Sequence, residues 1–221
     1  MAISFDASVS GGSATATSLT FAHTTTGTDR MLFVGALTLT ANTDTISGIT
    51  YGGVAMTRPT NGFVTDATNY GIYIYALHAP TEGANNVVIS SSLTTIFGIA
   101  SSYTGASQTS TVDSSAKTAP TAAATLTTTT TTVADNCWLV MMARTEDATP
   151  FMAAGTNTTL RQNNTNDSIA MFDSNAAKTP AGSHSLQTTQ AGTLPTFHVL
   201  ASFAPAVAVS FGARRMRLGI G

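Results

Sequence analysis

Charge is scarce in this 221-residue chain: nine Lys and Arg stand against eleven Asp and Glu, so 9% of residues are charged. An ordinary soluble domain carries about 25%. The net charge of −2 argues against a general nucleic-acid binder, which needs a basic surface to displace counterions. Cysteine is almost absent, and a lone Cys137 excludes an internal disulfide framework. No apolar run approaches the roughly 20 residues of a membrane helix. The opening Met1-Ala2-Ile3-Ser4-Phe5 has no basic stretch leading into an apolar one, so no secretory signal is expected. These absences predict a product made in the cytoplasm, with neither membrane nor nucleic acid as a direct partner.

Threonine takes the place of charge. The chain has 42 Thr, 34 Ala and 21 Ser, and its 60 larger apolar residues are enough for a real core. Disorder requires low hydrophobicity together with high net charge, and neither holds. β-Branched residues lose side-chain freedom in helices and fit strands better. The expected fold class is therefore all-β.

Period-2 alternation recurs between turn residues. Ile3, Phe5, Ala7 and Val9 form one alternating set, and Leu19 with Phe21 marks a second strand. Met31 to Thr40 is apolar on both faces at first, which predicts a strand buried in its middle and half exposed at its end. Further runs span 46–56, 70–77, 87–89, 96–103, 137–143, 158–160, 169–172, the neighbourhood of Leu186, and 197–203. Spacing of this kind suggests an antiparallel sandwich.

The chain also repeats itself, with five landmarks in the same order at an offset near 100. Asp29-Arg30-Met31-Leu32-Phe33-Val34 resembles Asp135-Asn136-Cys137-Trp138-Leu139-Val140. The segment Gly53 to Arg58 has a counterpart at Gly155 to Arg161, and 69–75 matches 167–173 in pattern. Gly83 matches Gly182, and 96–103 parallels 197–203. A jelly-roll-like sandwich over residues 1–206, built from similar halves at about 13–105 and 118–206, accounts for this repeat. Either the halves interleave into one sandwich, which is the preferred reading, or they stand as tandem sandwiches. The Thr/Ala-rich stretch 118–132 fits a linker or an edge strand.

Chemistry is harder to find. His23, His78, His184 and His198 are scattered, without an HxH or HExxH pair, so no metal site or cofactor is expected. No GxSxG elbow, Walker loop or dinucleotide fingerprint is present, and Gly52-Gly53 reads as a turn. The only two glutamates, Glu82 and Glu146, would have to face each other to serve a glycosidase. No catalytic residue is assigned, and an enzyme is not expected. Tyr70, Tyr73 and Tyr75 lie in one strand; facing outward, Tyr73 and Tyr75 would offer a strip for a glycan or protein, while facing inward they would be core. Residues 207–221 contain Arg214, Arg215 and Arg217 without an acid, against six basic and eleven acidic residues in the remainder. With Phe211, Met216 and Leu218 as apolar anchors, this tail reads as an arm for docking on a neighbouring subunit.

The segments ITYGGVAMTR, YGIYIYAL, APTEGANNVVI, IASSYTGASQTSTVD, LTTTTTTVADNCWLVMMAR and FHVLASFAPA together resemble a β-sandwich module. Modules of this type occur in bacterial surface proteins and in virion proteins of tailed bacteriophages. The resemblance covers about residues 13–206 and carries no catalytic motif. It implies a non-enzymatic virion protein assembled in the host cytoplasm: a head-decoration, fibre or tail accessory component. Other virion proteins and further copies of the chain would be its partners. The alternative it implies is an adhesive or carbohydrate-binding module with a host-surface glycan as ligand.

Overall fold

The computed structural model describes residues 1–39, 43–110, 112–146, 152–164 and 168–207, and among them lie 17 strands and no helix. The first half contributes β1 (Ser4–Ala14), β2 (Ser18–Thr25), β3 (Met31–Leu39), β4 (Ile46–Tyr51), β5 (Val54–Ala55), β6 (Phe63–Thr65), β7 (Tyr70–His78), β8 (Gly83–Ser91) and β9 (Ile96–Thr104). The second contributes β10 (Ser114–Ala122), β11 (Thr125–Thr131), β12 (Trp138–Thr145), β13 (Ala153–Ala154), β14 (Thr159–Asn164), β15 (Ile169–Asp173), β16 (Ser183–Thr189) and β17 (Pro195–Phe203).

All pairings between these strands are antiparallel, and the halves repeat one plan. The first half forms a five-stranded sheet, β1-β9-β3-β7-β6, and a four-stranded sheet, β2-β8-β4-β5. The second forms β10-β17-β12-β15-β14 and β11-β16-β13. No named strand of one half pairs with a named strand of the other, so the halves stand in tandem rather than interleaved. Each half closes on itself by pairing its first strand with its last, β1 with β9 and β10 with β17, and the sheets of the two halves meet through side chains instead of exchanged strands.

Three apolar layers hold four sheets together. In β3, Leu32, Val34 and Ala36 face the four-stranded sheet, while Met31, Phe33 and Leu37 face the second half. In β12, Leu139, Met141 and Ala143 face the three-stranded sheet, and Trp138, Val140 and Met142 face the first half. Strands covered on both faces must be apolar on both, which explains their unbroken hydrophobic runs. Burial also extends further along β3 than expected: Thr38 is fully buried and bonds Thr45 across 3.1 Å.

The two five-stranded sheets stack with an internal pseudo-twofold relation. β1 lies against β14 and β6 against β10, while β7 meets β17 and β9 meets β15. Each of these contacts therefore has its mate with the roles of the halves exchanged, as in a symmetric dimer interface. Aromatic edges fill the centre, with ring centroids 5.2 Å apart for Phe33–Phe203 and 5.9 Å for Tyr103–Trp138. The Thr/Ala stretch is no linker; it holds the end of β10 and all of β11, which are edge strands of two different sheets. In β11 alternate residues are buried, leaving Thr125, Thr127, Thr129 and Thr131 exposed.

Candidate functional site

The tyrosine strand faces inward on both sides. Tyr73 is fully buried and Tyr75 is 6% exposed, both packed into the core between β7 and the four-stranded sheet. Tyr73 stacks on Phe63 at 4.7 Å, and its hydroxyl accepts the Thr45 backbone N–H at 3.0 Å. Ile72 and Ile74, on the other face, enter the central core. The outward strip is thus absent, because β7 is covered by a sheet on each side. Tyr70, at the strand end, is half-buried beneath the Arg144 guanidinium, whose centre lies 3.3 Å from the ring centroid. Arg144 is itself only 3% exposed, and its Nε and Nη1 have no hydrogen-bond partner among the described residues. Burial lowers its pKa, against the nearby Tyr70, Asp66 and Glu146.

One constellation has the residue types of a hydrolase. Ser102 on β9 donates to Asp6 Oδ2 at 2.7 Å and lies 3.0 Å from His23 Nε2 on β2. A nucleophilic serine needs its histidine oriented by the carboxylate and its Oγ open to substrate. Here the carboxylate bonds the serine instead, Ser102 is fully buried and His23 is 3% exposed. Burial depresses the His23 pKa to about 4, opposed by Asp6. Burial raises that of Asp6, but hydrogen bonds from Thr26 and Ser102, with His23 nearby, outweigh it and hold the carboxyl below its usual range.

The same cluster recurs without its histidine. Asp113 accepts the backbone N–H groups of Val133 and Ala134 at 2.8 and 3.0 Å, and Ser202 donates to it at 3.2 Å. Asp6 likewise accepts the Thr26 N–H at 3.0 Å. In both halves an aspartate at the start of the first strand, Asp6 within β1 and Asp113 just before β10, ties down the chain leaving the second strand. The pair Phe5-Asp6 and Val112-Asp113 in the sequence was the available signal, and sequence reading passed over it. His198 completes the buried set, with Nδ1 and Nε2 each 2.9 Å from the hydroxyls of Thr128 and Thr188. Burial pushes its pKa down to about 3.

Between the halves, Asp173 is fully buried and receives Arg161 Nε at 2.6 Å and the Asn175 N–H at 2.9 Å. Burial raises its pKa, the Arg161 pair opposing. Glu82 lies beside Arg30 at 3.5 Å, in the turn between β7 and β8, whereas Glu146 follows β12 at the opposite end of the sheets. A nine-residue strand spans about 30 Å, so these glutamates do not form a glycosidase pair. Among the described residues no three His, Cys, Asp or Glu are grouped to hold a metal.

Two cavities lie at the pole where each half begins, apart from a polar one of about 420 Å³ over β4 and β8. Met1, Ile3, Asn136, Trp138, Ala177, Pro205 and Ala206 are among the residues lining a cavity of about 600 Å³. Asp29, Gln108, Ala206 and Val207 border a second, of about 300 Å³. Ala206 belongs to both, so the chain leaves the sandwich between them. The predicted docking residues Phe211, Arg214, Arg215, Met216, Arg217 and Leu218 lie outside the described residues. No protein-family model and no curated protein sequence matches the chain.

Proposed function

We propose that the chain is a non-enzymatic structural component of a bacteriophage-like virion, a head-decoration, fibre or tail accessory protein. The observation that carries this reading is the strand order. We read β1-β9-β3-β7 over β2-β8-β4-β5, repeated as β10-β17-β12-β15 over β11-β16-β13, as the winding of a jelly roll, an architecture of viral capsid and lectin domains. Two such units, joined through a sealed apolar core, make a stiff block suited to repeated lateral contact. The polar clusters support the same reading, since Asp6, Asp113, Ser102, His23 and His198 are engaged in internal hydrogen bonds. A low charge density limits repulsion between neighbouring copies.

The glycan-binding alternative loses its anchors at Tyr73 and Tyr75, which are buried. Mass spectrometry and cryo-electron microscopy of particles from the source test the proposal, with density traced to this chain as the expected result. Recovery of the protein only as a free species, absent from purified particles, overturns it. Saturable binding on a glycan array would favour the adhesive module instead.

A further inference from the structure

The geometry points to the pole cavity beside Trp138 as the receptor for residues 208–221 of the same chain. Three observations converge there. The three most exposed large apolar side chains among the described residues, Val207 at 87%, Val133 at 78% and Met1 at 66%, all stand at this end. Apolar surface gathered around a cavity is the usual mark of a covered or docking surface. The pole is also acidic: Asp29, Glu82, Asp113 and Asp135 are set in its turns and Asp6 near the start of β1, against Arg30, Lys178 and the Met1 ammonium. Finally, fourteen residues follow Val207, with three arginines, no acid, and Val209, Phe211, Met216, Leu218 and Ile220 as apolar side chains.

Chemistry and reach both fit. The arginines meet carboxylates in turns, where charge-assisted pairs form without deep desolvation. The apolar side chains have the cavity walls of Ile3, Trp138 and Pro205 to cover. Because Val207 itself borders the second cavity, the segment is tethered at the rim, at an effective concentration on the order of millimolar. That tether favours the segment's own pole over the pole of another copy. The inference stands apart from the virion reading, and its failure leaves that reading intact.

Trp138 is the chain's single tryptophan, so its emission reports on one place, where the central core meets this cavity. The test compares the full chain with one ending at Val207 and titrates the shortened chain with a synthetic peptide of residues 208–221. Emission of the shortened chain should shift to the red, and the peptide should bind saturably by calorimetry and reverse the shift. Replacing its three arginines with serine should weaken binding several-fold. Ala177→Arg, at an exposed position lining the cavity, should reproduce the red shift in the full chain with an unchanged far-UV spectrum. Identical emission in both chains, with no calorimetric response to the peptide, overturns the inference. So does a red shift of the full chain on dilution, since a segment docked in its own chain is insensitive to concentration.

Discussion

Gly98 and His198 show how two related units solve one packing problem in different ways. A Cβ on Gly98 would come within 2.7 Å of the Phe21 ring and 2.8 Å of Ile89 Cδ1, and one on Gly11 within 2.3 Å of Phe21. In the second half the matching positions are Thr118, Thr128, Thr188 and His198, joined by hydroxyl and imidazole contacts of 2.5 to 2.9 Å. An aromatic ring seated over two glycines has become a buried hydrogen-bond chain. Gly98→Ala should therefore destabilise by about 2 kcal/mol through overpacking. Gly35→Ala, whose nearest neighbours are the flexible side chains of Met142 and Met171, should cost less, about 1 kcal/mol; equal losses in urea unfolding would refute the contrast. The buried histidines also set an acid limit. Folded His198 and His23 titrate near 3 and 4, below the unfolded value of about 6.5. The unfolded chain thus binds more protons below pH 6.5, and stability falls as pH drops from there toward the folded values. By about pH 4.5 each should cost on the order of 2 kcal/mol. His198→Gln should flatten part of that slope, and a profile unchanged by the substitution would sink the assignment.

At the scale of elements, Asp6 and Asp113 hold the chain just beyond β2 and β11, where the ladders to β8 and β16 end. Asp113→Ala leaves the Val133 and Ala134 N–H groups and Ser202 without their charged acceptor. A loss of about 2 kcal/mol follows, with faster amide exchange at Val133 and Ala134; unchanged exchange there would refute the clamp. The strands themselves were largely legible, because alternation and turn residues fix where chain pairs with chain. Register was not. Aligning Asp29 to Val34 with Asp135 to Val140 pairs Leu32 with Trp138, yet Met31 lies opposite Tyr103 as Trp138 lies opposite Phe203. The left-handed residues preceding these strands, Asp29 at φ 51° and Asn136 at φ 60°, give the same register. A one-residue slip exchanges the two faces of a strand, and in a strand apolar on both faces the sequence does not mark which is which. The same covering on both sides decides between the two readings of Tyr73 and Tyr75 in favour of core. β6 and β13, three and two residues long, are too short for any periodicity.

For the whole molecule, the repeat raises the question of whether each half is a protein in its own right. Each has its own inner core and its own complete set of hydrogen-bonded strands. Each also presents a second apolar face to the other: Met31, Phe33, Ile72, Ile74, Ile99 and Tyr103 from the first half, Trp138, Val140, Met142, Met171, Val199 and Phe203 from the second. A continuous apolar face of this kind exceeds what soluble monomers expose, and an interface that is large and apolar couples units that would otherwise unfold separately. The full chain should therefore unfold in one transition, with calorimetric and van't Hoff enthalpies in agreement. Residues 1–106 expressed alone should self-associate or precipitate. Co-expressed with residues 107–207, the same fragment should be recovered as a soluble one-to-one complex, since the pseudo-twofold contacts of β1 with β14 and β6 with β10 need no covalent link to form. Fragments that each remain monomeric and soluble, or a full chain melting in two separated steps, would mean that the central layer is a contact between finished domains and not a shared core.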